Sequence, residues 1–391
     1  MLAAAHARVA AVRPAEYART RNFLDGAVSG LSPYITHGFI SLPEVLASVA
    51  SRNRMDVQHK FVFELGWREY FRHVWKHRGA GILSSLHEGP LPEHAYSSEL
   101  PADVRQAQTG VPAIDEAVRT LYATGTLHNH ARMWLASYVV HLRKVHWRAG
   151  ADWLYGHLLD GDLASNHLSW QWVAGTGSRK PYLFNAENVA RYAPTKWHSP
   201  GSVIDASYEA LDRWARQPQT VAVQPGGEGV AEPVLNAEPP AGLRLAAPDA
   251  ALVRDREVWL IHPWSLGALP PELPAETLVV GVYIAEFHRA WPWSARRWSF
   301  VGTRIADLAA HRWHGESTAI GGALAGARRV RCIDDPHLAP WLTRWADCQT
   351  APSLFPHVDQ RRDSFSQWWN CATRGLRGVG DLLAANELPA W

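Results

Sequence analysis

The stretch LLDGDLASNHLSWQW, residues 158–172, sets Asp160, Asp162, Asn166 and His167 among leucines, alanines and two tryptophans. Its apolar residues point to a core, and a core accepts carboxylates and amides only when each finds a partner. An Asp-x-Asp-x-x-x-Asn run suggests a calcium loop, but Ala164 stands at the third ligand position, the turn glycine is misplaced and no Glu closes the loop. Two readings remain open from these residues alone. Either Asp160 or Asp162 caps the helix that follows, or the polar groups hydrogen-bond a buried polar ligand.

A second stretch, TGTLHNHARMWLASYVV (124–140), adds a cation. Asn129, Arg132 and Met133 stand at i, i+3 and i+4 and so share one helix face, with Arg132 where apolar helices must pack. Beside an acid it forms an ion pair or one half of a ligand clamp. A third stretch, GAVSGLSPYITHGFIS (26–41), puts Gly, Ser and Pro at a loop-to-helix junction, where hydroxyls and backbone N–H groups serve as a plain N-cap or as a phosphate site.

Composition bounds the rest. A chain of 391 residues with 47% hydrophobic content has enough material for two or three domains. The net charge of +2 is too small to signal nucleic-acid binding by itself. Between Arg52 and Arg78, however, seven Lys/Arg stand against three acids, with His59, His73 and His77 interleaved, either as a solvated helix face or as a basic surface. Cys332, Cys348 and Cys371 are odd in number and widely spaced, which fits neither a disulfide framework nor a CxxC metal site and indicates a reducing cytoplasm. No metal site is expected. No 18-residue apolar run and no signal-type start occurs, so no membrane association is expected. Twenty tryptophans supply hydrophobic bulk, stacking surfaces and redox-active rings.

Up to about residue 200 the signals are helical. SLPEVLASVASR (41–52) has a Ser cap, an early Pro and helical apolar spacing, and VPAIDEAVRTLYATG (111–125) ends on the Gly expected after a helix. Residues 217–248 hold six Pro, four Gly and no aromatic, which reads as a flexible linker. Beyond it, EVWLIH (257–262), TLVVGVYIA (277–285) and RRVRCID (328–334) are short β-branched runs, and RRWSFVGTRIADLAAH (296–311) is helical in pattern. This predicts an α/β domain with a parallel sheet. AIGGALAGA (319–327) reads as a small-residue helix or loop in preference to a phosphate cradle. The expected domains are an all-helical 1–216, a linker 217–248 and an α/β 249–391.

Together SGLSPYITHGFIS, FELGWREYFRH, TGVPAIDEAVRTLYATGTLHNHARM and LLDGDLASNHLSWQW resemble the FAD-binding helical domain of the photolyase and cryptochrome family. The likeness runs from about Tyr17 to Pro194, with the motifs in family order and at family-like spacing. It implies an all-α domain holding FAD in a U shape at the bottom of a cavity that faces DNA. By this resemblance Ser29, Leu31, Ser32 and Tyr17 serve the FAD phosphates, Arg68 and Asn129 border the cofactor, and Arg132 partners Asp160 beside the flavin ring. Asp162 contacts the ring edge or ribityl region and Asn166 faces the flavin N5.

Glu64, Trp67, Met133 and Trp172 match residues that hydrogen-bond and wedge the damaged pyrimidine pair in the cyclobutane-dimer class. The (6–4) class has His where this chain has Met133. Trp170 and Trp147 match the proximal and middle members of the family's electron-relay triad. The distal tryptophan is missing from its place, where Tyr96 or His94 falls. Val28 stands where the family often has Thr.

The implied activity is a deoxyribodipyrimidine photolyase-like lyase that uses FAD and light to repair dimer-containing DNA. The alternative is a blue-light photosensor that signals to a partner through 249–391. The domain order is reversed against the family, whose α/β antenna domain comes first. A permuted or degenerate Rossmann-type antenna domain is the expectation for 249–391, with an unrelated α/β partner domain as the alternative.

Overall fold

The computed structural model describes residues 1–224 and 226–384. The chain divides into two compact units; one boundary, Pro233 to Val234, falls within 217–248, but two segments from the first 69 residues join the C-terminal part. One unit comprises Met1–Pro14, Ser29–Glu69 and the chain from Val234 on; the other comprises Ala15–Val28 and Tyr70–Pro233.

The Tyr70–Pro233 unit is helical. Helices Pro112–Thr124, Asn129–Ser137, Trp147–His157 and Leu163–Ala174 bury Ile114, Val118, Trp134, Leu135, Leu154 and Trp170 in one apolar cluster. Helix Pro112–Thr124 stops at Gly125, whose φ of 68° is the left-handed cap that a Cβ would disfavour. Helices Trp147–His157 and Leu163–Ala174 lie close because residue 150 is glycine: a Cβ there would come within 2.4 Å of Trp170 Cζ3. Polar bonds set the register of this pair. Asn166 Nδ2–H donates to Ala151 O at 2.8 Å, and His167 Nε2 meets Asp152 Oδ1 at 2.8 Å. Helix Leu163–Ala174 is buried on nearly every side, which is why its polar residues looked out of place.

The other unit carries the sheet. Its five parallel strands are β1 (Glu257–Ile261), β2 (Leu278–Ile284), β3 (His311–Gly315), β4 (Arg329–Ile333) and β5 (Asp347–Gln349). They are ordered β3-β2-β1-β4-β5. Val258, Leu260, Val280 and Val282 are fully buried, as the unbroken apolar runs require for a sheet covered on both faces. Gly281 lets helix Ala295–Leu308 lie against β2, because a Cβ would stand 2.5 Å from Ile305 Cγ2. Helix Leu42–Ala50 begins with the Ser41–Glu44 capping box that its sequence announces. AIGGALAGA forms most of helix Ser317–Leu324.

Residues 217–248 are not an unstructured linker. In the helical unit Val221 N–H donates to Leu142 O at 3.2 Å and Val230 N–H to Gln106 O at 2.8 Å. In the sheet-bearing unit Leu235–Asn236 pairs antiparallel with Trp293–Ser294, and Ala246 N–H donates to Arg312 O at 2.9 Å. The low apolar content that suggested flexibility is offset by backbone hydrogen bonds to neighbouring segments.

Candidate functional site

The expected site residues fall in both units, and each half is built from different local chemistry. In the sheet-bearing unit Ser29, Leu31 and Ser32 form a loop entering the short helix Ser32–Thr36. Gly30 takes φ 62° between them, a conformation that L-residues with a Cβ seldom hold. Leu31 is buried and anchors the loop. Arg68 comes from helix Lys60–Arg78 and donates from Nη2 to Ser32 Oγ at 2.7 Å and from Nη1 to Thr36 Oγ1 at 2.8 Å. With Ser32 Oγ accepting from a guanidinium, the hydroxyl proton is the group it can offer to an anion. A fixed cation beside serine hydroxyls is a donor set suited to a pyrophosphate.

The helical unit holds the acids. Asp160 is buried and Arg132 Nη2 donates to both of its oxygens, each at 2.9 Å. Arg132 Nε also donates to Leu127 O at 2.8 Å, so backbone and acid together fix the guanidinium plane. Asp162 caps helix Leu163–Ala174: its Oδ1 accepts from Ser165 N–H at 2.8 Å, and its Oδ2 accepts from Arg72 Nη2 at 2.6 Å. The capping reading therefore holds for Asp162 and the ion-pair reading for Asp160. Both carboxylates are thus ion-paired, which offsets the cost of burying their charge. Buried Asn166 commits one N–H to Ala151 O and retains a second N–H and a carbonyl to offer. Asn129 is exposed at the start of helix Asn129–Ser137 and donates from Nδ2 to Met133 Sδ at 3.4 Å. Tyr17 is half-buried on helix Pro14–Thr20.

The aromatic candidates separate by exposure. Trp147 and Trp170 are each 2% exposed, whereas Trp172 is 40% exposed, with Tyr182 5.8 Å away. Glu64 and Trp67 are half-buried on the first half of helix Lys60–Arg78, and one face of Trp67 is stacked on Phe365 at 4.0 Å. Two contributors escaped the sequence reading. Arg72 lies four residues after Arg68 in the same helix, a spacing that could have flagged it. Phe365 sits in an aromatic run that reads as ordinary core. Among the described residues no group of three or more His, Cys, Asp or Glu could hold a metal ion, and no helix is long and apolar enough to cross a membrane.

Each unit by itself offers donors suited to a part of FAD: in the sheet-bearing unit, serine hydroxyls with an arginine suit its phosphates, and in the helical unit a neutralised Arg–Asp pair and a buried amide suit a flat heterocycle with hydrogen-bonding edges. Residues 61–214 match the FAD-binding domain of DNA photolyase. That match begins after the Ser29–Ser32 loop, so the phosphate assignment rests on the local chemistry and the sequence motif.

The deoxyribodipyrimidine photo-lyase of Synechococcus sp. is 33% identical over 221 residues, covering 51% of this chain and 41% of that protein. Cryptochrome DASH of Idiomarina loihiensis is 31% identical over 209 residues, covering 51% of this chain and 44% of its own. The crystal structure of the Synechocystis sp. PCC6803 cryptochrome aligns with a TM-score of 0.46 at 26% identity, over 55% of this chain and 51% of that one. The chain thus spans less than half the length of these two curated relatives. Residues 61–214 are thus similar to the FAD-binding domain of photolyases and cryptochromes, and the cofactor that this domain implies is FAD.

Proposed function

We propose that this chain repairs cyclobutane pyrimidine dimers in DNA as a light-driven lyase. The observation that carries the reading is Trp172, an indole left 40% exposed two residues after the buried Trp170. An exposed ring beside a cofactor-type helix is a stacking platform for an unpaired base, and photolyases belong to the enzymes that take their target base out of the duplex. Bound FAD, in its reduced state and excited by light, supplies the electron. The chain's own residues do the rest. Trp172 and Trp67 stack on the pyrimidine pair, Met133 contacts its edge, and the Glu64 carboxyl hydrogen-bonds a base carbonyl, a contact that strengthens as negative charge builds there. Asn129, Arg132, Asp160, Asp162 and Asn166 hold the flavin half of the cofactor, and Tyr17, Ser29, Leu31, Ser32 and Arg68 its phosphate half.

We infer further that β1–β5 and their helices are the family's α/β partner domain, placed after the helical domain in sequence. Their order, β3-β2-β1-β4-β5 with every neighbour parallel, is that of a doubly wound nucleotide-binding sheet. A second reading, a blue-light sensor that signals through the C-terminal region, is favoured by the Phe365 ring that lies on Trp67.

The deciding experiment is irradiation of the purified protein with dimer-containing single- and double-stranded DNA, followed by an assay for restored thymine. Restored thymine supports repair. No restoration, with light still changing the flavin absorbance and the protease sensitivity of residues 250–384, supports the sensor.

A further inference from the structure

Phe63, Gly66 and Trp67 stand at i, i+3 and i+4 on helix Lys60–Arg78 and so form one face. Helix Phe365–Ala372 covers that face. The rings of Trp67 and Phe365 stack with centroids 4.0 Å apart and planes 12° from parallel. Phe63 meets Phe365 and Trp369 edge-on at 4.6 and 5.0 Å. Gly66 makes the approach possible, because a Cβ there would stand 2.5 Å from Trp369 Cζ3. Trp369 Nε1–H donates to Gln58 Oε1 at 3.1 Å, and Phe365, Trp368 and Trp369 are all buried. An indole face that already carries a flat ring in van der Waals contact cannot also carry a base.

The geometry points to an autoinhibitory plug: the C-terminal aromatic helix occupies the base-stacking face of Trp67, and DNA must displace the helix to use it. The inference rests on the repair reading, which gives Trp67 its role.

The attachment of the helix suits displacement. Residues 350–364, between β5 and the helix, contain no helix or strand, and just beyond the helix Val57 N–H donates to Arg377 O at 3.3 Å, so the helix would swing out about that end. Only Leu354 and Phe355 are buried in that stretch. One side chain latches them: Glu69 accepts from the Leu354 and Phe355 N–H groups with its two oxygens. Burial pushes the Glu69 carboxyl up to about 7 against the pull of those two donors, so its charge is held at a cost near neutral pH. Competition for Trp67 lowers the apparent affinity for DNA by the fraction of molecules in which the helix is off.

The test uses the full chain with its FAD and a single-stranded oligonucleotide carrying one thymine dimer, read by fluorescence anisotropy. Phe365→Ala is expected to bind about tenfold more tightly than wild type, and Phe365→Leu, which keeps apolar volume and so the fold, about threefold. The double variant Phe365→Ala/Trp67→Ala loses the gain. Hydrogen exchange of the 365–372 amides is expected to accelerate in wild type on adding the dimer oligonucleotide and not on adding undamaged DNA. Wild-type binding that neither single substitution tightens, with equal protection of these amides with and without DNA, overturns the plug and leaves the repair reading standing. Absence of dimer binding by wild type and by every variant overturns the repair reading and the plug together.

Discussion

Arg132 holds both oxygens of Asp160 with one nitrogen, Nη2 lying 2.9 Å from each. The pair is unequal in its access to water: the Arg132 side chain is 27% exposed and that of Asp160 only 4%. Removing the arginine takes a charge partner from a buried anion, whereas removing the aspartate leaves a cation that can turn to solvent. Arg132→Ala is therefore expected to cost about 3–5 kcal/mol and Asp160→Ala less. Both variants should lose flavin, measured as the ratio of flavin to protein absorbance after gel filtration. Full FAD occupancy in Arg132→Ala contradicts the pocket assignment.

Trp172 and Glu64 separate binding from turnover. Stacking on an aromatic is worth about 1–3 kcal/mol per base, so Trp172→Ala should weaken dimer binding by roughly tenfold or more with FAD retained. Glu64→Gln should leave binding nearly unchanged and lower the repair yield per absorbed photon, since its contact matters most as charge develops on the dimer. Equal repair yields in wild type and Glu64→Gln remove Glu64 from the reaction.

DNA binding should weaken with salt, and the slope can be bounded from the side chains. Of the seven cations between Arg52 and Arg78, Arg68 is engaged with Ser32 and Thr36 and Arg72 with Asp162. Arg52, Arg54, Lys60 and Lys76 are exposed. If two to four of these meet phosphates, log K against log salt for duplex DNA should fall with a slope of about −2 to −4. A flat salt dependence assigns DNA binding to some other surface.

What the sequence made legible follows from the kind of signal each element sends. Asp160, Asp162 and Arg132 were readable because a charge inside an apolar run demands a partner, and each has one. β1, β2 and β4 announced themselves as buried β-branched runs. β3 did not, because HRWHG buries only Trp313, and β5 is three residues long. Residues 217–248 were misread because composition reports side-chain burial and is silent about the backbone bonds that fix this stretch. Nor does an apolar helix face say what covers it. That Ser29–Glu69 packs with the chain from Val234 on, and that Phe365 lies on Trp67, are long-range pairings with no local signature.

Light-driven reduction of bound FAD needs a route for electrons from solvent, and we propose one through the helical unit that ends at Tyr96. Trp170 and Trp147 are buried. Trp170 packs over Gly150, which is i+3 from Trp147 and so on the same face of its helix. His146 lies 5.6 Å from Trp147 and 6.3 Å from Tyr96, ring centre to ring centre. Burial raises the Tyr96 phenol above its ordinary value, so it is neutral and must release its proton when oxidised. Tyr96→Phe should slow flavin photoreduction by an external thiol, followed by the loss of flavin absorbance. Tyr96→Trp should retain it, since indole oxidation does not require proton loss at the same step. An unchanged rate in Tyr96→Phe means that the route leaves Trp147 elsewhere.

Glu69 gives the fold a pH dependence whose sign can be worked out. The residue keeps some exposed surface, but its carboxyl is desolvated, and the carboxyl is what titrates. Its folded value of about 7 lies above its ordinary 4.5. Between these values the folded chain holds a proton that the unfolded chain has released, so stability falls as pH rises. The contribution is fully present below about 4.5 and lost above about 7, and the shift corresponds to something on the order of 3 kcal/mol. Glu69→Gln has no such proton to lose and should flatten this part of the profile. Urea unfolding of both proteins at pH 5 and pH 8 isolates the effect, because every other titrating group is common to the two. Wild type should lose more stability than Glu69→Gln between the two pH values, and the protection factors of amides 354 and 355, corrected for the intrinsic exchange rate, should fall at pH 8 in wild type alone. Parallel profiles would show that the carboxyl is solvated in solution and that the latch on Leu354 and Phe355 is insensitive to its charge.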